Sequence, residues 1–151
     1  MSILGFTFTT TGIYLCSISG TKLEPVLNRK LKLNLPQNLQ VEQLVEWFET
    51  ELSLILNKDK PSYVTYRLTF SNISHNYIAN VFYGQAILNL LCSKRSIGIS
   101  HTSPASIVAS KFNLPKDADL RKYIDLILGS PANPWDAKMR DNALMTLIYL
   151  S

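Results

Sequence analysis

The chain has 151 residues, of which 46% are hydrophobic and 17% are charged, and its formal net charge is +4 at pH 7. This length suits one domain with its own hydrophobic core, and the composition argues against intrinsic disorder and against a repeat architecture. The small positive charge mildly favours an acidic partner such as nucleic acid, although the cations are spread along the chain in twos and threes.

The first part of the chain predicts three antiparallel strands. Ile3–Phe8 and Ile13–Ile18 are runs of β-favouring residues, and the short Thr/Gly link between them is typical of a hairpin. Val26–Leu35 alternates leucine with lysine and asparagine, which predicts a strand with one mainly apolar face and one polar face. Its lysines fit an outer strand of the sheet, where charge discourages pairing with another chain.

A helix, a strand and a second helix are predicted next. Apolar residues recur at helical spacing over Val41–Leu56, and Asn38 is expected to cap this helix. Tyr63–Phe70 predicts a strand. His75–Cys92 predicts the second helix, in which Gly84 costs about 1 kcal/mol of helix propensity unless close packing against the sheet compensates.

The last part of the chain predicts one more strand and three helices. These are a strand at Ser96–His101, a helix that begins with Ser103 and Pro104 and ends near Phe112, a short helix at Leu120–Leu128, and a final helix from Trp135 or Asp136 to Leu150.

The order of these elements resembles the RNase H-like fold, in which three antiparallel strands are followed by two strands reached through helices. We therefore predict an α/β protein with a five-stranded mixed sheet in the order 3-2-1-4-5 and helices on both faces. The first and fourth strands are then neighbours at the sheet centre. We predict a single domain over residues 1–151; a generic α/β sandwich and an actin-like half domain are the alternative topologies.

The cysteines and the apolar runs indicate a cytoplasmic protein without a zinc site. Cys16 and Cys92 lie in apolar segments and lack the spacing of metal-binding motifs, so we expect buried free thiols. No apolar run reaches 18 residues, and residues 1–8 lack the features of a signal peptide. We therefore expect no membrane association.

Five short segments carry a family resemblance. They are Gly5-Phe6-Thr7, Lys30-Leu31-Lys32-Leu33, Val64 to Arg67, Ser103-Pro104-Ala105-Ser106-Ile107 and Asn142-Ala143-Leu144. In this order they resemble a RuvC-type resolvase domain and, more closely, a small bacterial family with the same layout that lacks the nuclease carboxylates. The resemblance spans nearly the whole chain and rests on no single specific motif.

The resemblance implies that Thr7, Arg67 and Asn142 stand where an active RuvC-like nuclease carries metal-binding carboxylates. A shift of one residue in the last helix would put Asp141 there instead of Asn142. Two-metal chemistry requires several carboxylates around a pair of cations, and an arginine repels Mg²⁺. We therefore expect no catalytic residue, no metal site and no cofactor.

The same positions predict a cationic, carboxylate-poor cleft that binds nucleic acid. In open α/β sheets ligands gather beyond the carboxyl ends of the parallel strands, and arginine with hydroxyl groups can bind phosphate there. The predicted binding residues are Thr7, Thr9, Arg67, Thr69, Asn72 and Asn142. The alternative structural interpretation is that Arg67 reaches solvent or pairs with Asp141 or Asp136.

Two other functions stay open from the sequence. The first is a protein-interaction or regulatory module without nucleic-acid contact, which includes a homodimer through the third strand or the last helix. The second is a nuclease whose acidic site is rearranged around Asp125, Asp136 and Asp141. A salt-dependent binding assay tests the first alternative, and a magnesium titration tests the second.

Overall fold

The structure is a computed structural model that describes residues 1–69 and 75–151, with the backbone alone for residues 75–78. Its elements in chain order are strands β1 (Ser2–Phe8), β2 (Gly12–Gly20) and β3 (Pro25–Asn34), helix α1 (Val41–Asp59), strand β4 (Tyr63–Arg67), helix α2 (His75–Lys94), strand β5 (Gly98–Thr102), 3-10 turns at Pro104–Ser106 and Ala109–Phe112, and helices α3 (Leu120–Leu128) and α4 (Ala137–Leu147).

The five strands form one mixed sheet in the order β3-β2-β1-β4-β5, as the sequence predicts. The first three strands are antiparallel, whereas β1, β4 and β5 run parallel to one another. β3 is an outer strand, which confirms the expectation from its lysines. Because β1 and β4 are parallel neighbours, their carboxyl ends meet at the same edge of the sheet.

Helices cover both faces of the sheet, and each face has its own hydrophobic cluster. On one face, α1 and α2 pack against residues of β1 and β4 such as Phe6 and Val64, with Phe48 of α1 buried between them. On the other face, α3 and α4 pack against Ile3 and Cys16 of β1 and β2. The predicted two-faced arrangement is confirmed.

Gly84 brings α2 close to the sheet. A Cβ at this position would lie 2.6 Å from Cδ1 of Phe8 and 2.9 Å from Cε1 of Phe48, which is closer than atoms normally approach. The structure therefore contains the close packing that was expected to compensate for the low helix propensity of Gly84.

A register shift in the β2–β3 pair corrects the predicted alternation of β3. Ser17 pairs with Arg29 but Ile18 pairs with Leu27, so β3 carries one extra residue at this point. The shift turns Leu27 to the α3–α4 face, whereas Leu31 packs on the α1–α2 face. The sequence had predicted both leucines on one face.

The predicted cap of α1 at Asn38 is wrong. The residue before the helix is Gln40, whose backbone N–H donates a 3.0 Å hydrogen bond to Oε1 of Gln43. Asn38 instead adopts a left-handed conformation with φ 62°, which asparagine tolerates well in a turn.

The predicted helix from Ser103 to Phe112 is also wrong, because two 3-10 turns take its place. Ile107 (φ −86°, ψ 84°) and Val108 (φ −126°, ψ 159°) separate the turns with non-helical backbone. Both are β-branched, and such side chains favour extended conformations.

Further sequence expectations concern the ends of elements and the cysteines. β4 ends at Arg67, earlier than predicted, and Phe70 lies outside the described residues.

Cys16 and Cys92 are free and buried, and burial raises their pKa values to about 12 and about 11. None of the helices in residues 1–69 and 75–151 is both long and apolar enough to cross a membrane.

Candidate functional site

A cleft of about 320 Å³ opens where β1 and β4 end, and we name it the β1–β4 cleft. It is lined by Thr7, Phe8, Thr9, Arg67, Leu68, Thr69, Pro104 and Lys138. Two of these side chains are cationic and none is acidic. Cations and hydroxyl groups at this edge can bind an anion such as phosphate, but they cannot coordinate a metal ion in the way carboxylates do.

The strand register places Thr7 and Arg67 beside each other. Phe6 pairs with Tyr66, and the two residues that follow continue the parallel strands. Because side chains alternate along a strand, Thr7 and Arg67 turn to the α4 face, opposite Phe6 and Tyr66. Thr7 is buried, whereas Arg67 is partly exposed.

Thr9 lines one wall of the cleft while it closes the β1–β2 turn. Its Oγ1 accepts a 3.0 Å hydrogen bond from the N–H of Gly12 and donates a 3.0 Å bond to the Gly12 carbonyl. The hydroxyl of Thr9 therefore shapes the cleft, and its bonding capacity is largely used within the turn.

Gln85 of α2 anchors the end of β4. Its buried amide Nε2 donates to the carbonyl of Arg67 at 3.4 Å and to Oγ1 of Thr69 at 3.3 Å. These bonds hold the backbone of Arg67 and the side chain of Thr69, on the two sides of Leu68. They also leave the Arg67 guanidinium out of the anchoring contacts.

Arg67 does not pair with Asp141 or Asp136, which corrects one part of its alternative interpretation. Its partial exposure is compatible with the other part, in which the side chain reaches solvent. Within the described part of the chain, the ion pairs are Arg29–Asp59, Arg121–Asp141 and Arg140–Asp125. The charge of Arg67 is therefore not neutralised by a carboxylate of residues 1–69 or 79–151.

Asn142 lies beneath Thr7 and does not line the cleft. Its Nδ2 donates to Oγ1 of Thr7 at 2.9 Å and to the carbonyl of Tyr14 at 3.3 Å. Asn142 is 1% exposed and Thr7 is 5% exposed, so the contact is internal. Of the two candidates, Asn142 and not Asp141 is thus the α4 residue that contacts Thr7 of β1.

A small residue in β1 permits this contact. A Cβ at Gly5 would collide with Oγ1 of Thr146 and would lie 3.3 Å from Oδ1 of Asn142. α4 can approach β1 closely at Asn142 and Thr146 because Gly5 has no side chain.

The three aspartates of the rearranged-site alternative each have another partner. Both oxygens of Asp141 accept from Arg121, at 3.1 and 3.0 Å. Asp125 accepts from Arg140 Nε at 2.8 Å and from Trp135. In the ranges 1–69 and 79–151, no three His, Cys, Asp or Glu side chains lie together so that they could hold a metal ion.

Asp136 caps α4 and fixes its start near the cleft. The Asp136 carboxylate accepts from the N–H of Met139 at 2.9 Å and from the Tyr14 hydroxyl at 2.9 Å. Burial acts to raise the pKa of Asp136, but these hydrogen bonds and the charges of Lys32 and Lys138 hold the pKa below its ordinary value. The carboxylate is therefore a structural cap.

The six predicted binding residues have three different outcomes. Thr7, Thr9, Arg67 and Thr69 line the cleft, Asn142 supports it from below, and Asn72 lies outside the described residues. Sequence reasoning missed Lys138. It precedes Asn142 by four residues and therefore shares its side of α4, a signal that was available once Asn142 was assigned to this edge.

A second cavity adjoins the β1–β4 cleft, and we name it the α3–α4 cavity. Its volume is about 410 Å³, and it is lined by Arg67, Pro104, Ile107, Ala118, Asp119, Leu120, Arg121, Asp141 and Leu144. Arg67 and Pro104 belong to both linings. Arg67 thus stands at the boundary between the two.

Solved structures share this fold at low sequence identity. RuvC of Thermus thermophilus in complex with Holliday junction substrate matches with a TM-score of 0.79 and 14% identity, over 98% of this chain and 91% of that one. A second T. thermophilus RuvC structure gives 0.78 and 13%, over 98% and 92%. The yeast mitochondrial Holliday junction resolvase gives 0.75 and 14%, over 97% and 76%.

These matches show the fold, which is the RuvC-type, RNase H-like fold predicted from the sequence. No protein-family model and no curated protein matches the chain. At such identities the chemistry of the site has to be argued from its own residues.

Proposed function

We propose that this chain is a single-domain RNase H-like protein that binds nucleic acid through the β1–β4 cleft without cleaving it. The observation that carries the proposal is the lining of the cleft, which contains Arg67 and Lys138 and no acidic side chain. Such a lining attracts the phosphate backbone by charge and by hydrogen bonds. The residues assigned to binding are those predicted from the sequence, with Lys138 added.

The position of Lys138 supports an anionic ligand. Lys138 lies in the first turn of α4, two residues after the Asp136 cap, and its charge helps to lower the pKa of that carboxylate. The helix dipole disfavours a cation at this end by about 0.3 to 1 kcal/mol. The Asp136 carboxylate offsets part of this cost, and a phosphate in the cleft would add to that by contacting the lysine.

The fold comparison supports the class of ligand. A RuvC structure that matches nearly the whole chain is solved in complex with Holliday junction substrate. In this chain, which has the same fold, Thr7 and Arg67 lie near the carboxyl ends of the neighbouring central strands β1 and β4. A nucleic-acid backbone is therefore the anion that we assign to the cleft.

The test is a binding titration of labelled duplex and single-stranded oligonucleotides from 50 mM salt upwards. Binding through two cations should give a log–log salt slope of about −1.8 on duplex, since each neutralised phosphate contributes roughly −0.9. Arg67→Glu and Lys138→Glu should each weaken binding at 50 mM salt. The thermal unfolding temperature of both variants should stay near that of wild type.

Lys58→Glu is the matched control, because it makes the same charge change at the opposite edge of the sheet. Lys58 is exposed in the last turn of α1, close to the start of β4. If Lys58→Glu weakens binding as much as Arg67→Glu, or if wild type retains no nucleic acid at 50 mM salt, the cleft is not the site. The protein-interaction function then becomes the better hypothesis.

Absence of cleavage is tested separately with Mg²⁺ and Mn²⁺ on branched DNA, single strands and RNA–DNA hybrid. We expect intact substrates, because the cleft lining contains no carboxylate to hold the ions. Metal-dependent turnover that Asp141→Asn abolishes would instead support the rearranged acidic site.

A further inference from the structure

The α3–α4 cavity has a chemical character different from that of the β1–β4 cleft. Its apolar walls include Ile107, Leu120 and Leu144, and four charged side chains also line it. Its volume of about 410 Å³ is within the usual range of small-molecule sites, about 300 to 1,000 Å³. Phosphate groups alone would gain nothing from the apolar walls.

The charged groups of the cavity offer acceptors as well as donors. Asp141 is occupied, because both of its oxygens are bonded to Arg121. Asp119 caps α3 through Oδ1, which accepts from the N–H groups of Arg121 and Lys122. The described contacts leave Oδ2 of Asp119 without a donor, and Asp119 is exposed. This oxygen can accept from an amino group of a ligand.

A nucleobase combines these same two properties. Its faces are flat and apolar, and its edge carries hydrogen-bond donors and acceptors. Arg67 borders both the cleft and the cavity, so a strand whose phosphate contacts Arg67 has its adjoining base within reach of the cavity.

We propose that the α3–α4 cavity receives one unpaired nucleobase of a strand whose phosphates lie in the β1–β4 cleft. The proposal rests on the proposed function and narrows its ligand to nucleic acid with an accessible base. A base inside a duplex cannot enter, because its edge is paired and its faces are stacked. The apolar walls and the amino-accepting Asp119 then add affinity for single-stranded segments.

The first experiment compares two single strands with the same length and the same number of phosphates. One carries ordinary bases, and the other is built entirely from abasic residues. We expect wild type to bind the ordinary strand roughly tenfold more tightly, because one base buries apolar surface in the cavity. The difference should persist at high salt, where phosphate contacts weaken.

The second experiment fills the cavity with a side chain. Ala118 is partly buried in the lining, and Ala118→Leu should reduce the tenfold preference to about twofold while affinity for the abasic strand stays unchanged. Ala86→Leu is the control, since Ala86 is exposed on α2 across the sheet and the same substitution there should leave the preference intact. Thermal unfolding verifies that both variants fold.

The possible outcomes distinguish base binding in the α3–α4 cavity from phosphate binding in the β1–β4 cleft. Equal affinity of wild type for both strands overturns base binding while phosphate binding stands, and this comparison does not depend on any variant folding. A preference that Ala118→Leu leaves at tenfold places the base elsewhere and also overturns the proposal. Failure of wild type to bind either strand at 50 mM salt overturns the proposed function and the cavity proposal together.

Discussion

The amide of Asn142 and the hydroxyl of Thr7 join α4 to β1 through a hydrogen bond of 2.9 Å inside the protein. Two neutral groups thus meet at positions where the family resemblance implies carboxylates. Two carboxylates at such a distance would repel each other unless a cation or a proton lay between them. The neutral pair joins helix and strand with no such requirement.

Asn142→Ala should destabilise the protein by about 2 to 4 kcal/mol, because it removes the donor to Thr7 and to the Tyr14 carbonyl and leaves a small cavity. The free energy of unfolding in urea measures this. Asn34→Ala, at the exposed end of β3, should change it by less than about 0.5 kcal/mol. Similar values for the two variants would contradict a structural role for Asn142.

Phe48→Ala should cost about 3 to 5 kcal/mol, since Phe48 is 1% exposed among the residues of the α1–α2 face. Leu54→Ala is the control on the same helix, because Leu54 is 59% exposed. It should cost less than about 0.5 kcal/mol. Chemical denaturation of the three proteins tests the prediction, which fails if Phe48→Ala costs under about 1 kcal/mol.

Gly84→Ala should destabilise α2 although alanine is the better helix former. Overpacking against Phe8 and Phe48 should cost about 1 to 3 kcal/mol, which equals or exceeds the propensity gain of about 1 kcal/mol. Ala86→Gly on the exposed side of the same helix should also destabilise, by about 1 kcal/mol. A more stable Gly84→Ala protein, measured by thermal unfolding, would refute the close packing.

The contacts of the Asp125 carboxylate should make the free energy of unfolding depend on pH in the acidic range. The hydrogen bonds from Arg140 and Trp135 lower the pKa of Asp125 below the ordinary 3.8 in the folded protein. This stabilisation is present above the ordinary pKa and is lost as the pH falls through the lowered value. Asp125→Asn should therefore be less stable than wild type at pH 7 and should approach it in strong acid.

The measurement is the free energy of unfolding from pH 7 down to about pH 2. Asp117→Asn, in the exposed loop before α3, should reproduce the wild-type profile. Parallel profiles for wild type and Asp125→Asn would show that the contacts of this carboxylate contribute nothing to folding.

Strand and helix periodicities are local, so the sequence was sufficient for the kind and order of most elements. The order of the strands in the sheet was predicted from the resemblance of that element order to the RNase H-like fold. Sequence reasoning failed where a tertiary contact or a backbone detail decided the outcome. Ser103 and Pro104 are typical of a helix start, but Ile107 and Val108, three and four residues after Pro104, take non-helical conformations. The extra residue in β3 opposite β2 is likewise invisible in a pattern of alternating leucines.

Within the site, the sequence predicted which residues lie near the carboxyl ends of β1 and β4. It did not predict which side chains point into the cleft and which point into the core. Arg67 was placed correctly because β4 is parallel to β1. Asn142 was expected in the cleft but is buried beneath it, where it bonds to Thr7. The close contact between α4 and Gly5 fixes the rotation of the helix about its axis and so turns Asn142 inward. Lys138 enters the cleft for the same reason, because it lies one turn earlier on the same side of the helix.

The burial of both cysteines gives the protein a practical property. With their pKa values raised to about 12 and about 11, the native thiols stay protonated near neutrality and are shielded from reagents. A cysteine introduced at exposed Thr10, at the tip of the hairpin beside the cleft, would be the one thiol that a maleimide dye labels quickly in the folded chain. The natural sequence can therefore carry a single-site fluorescent reporter without removal of Cys16 or Cys92.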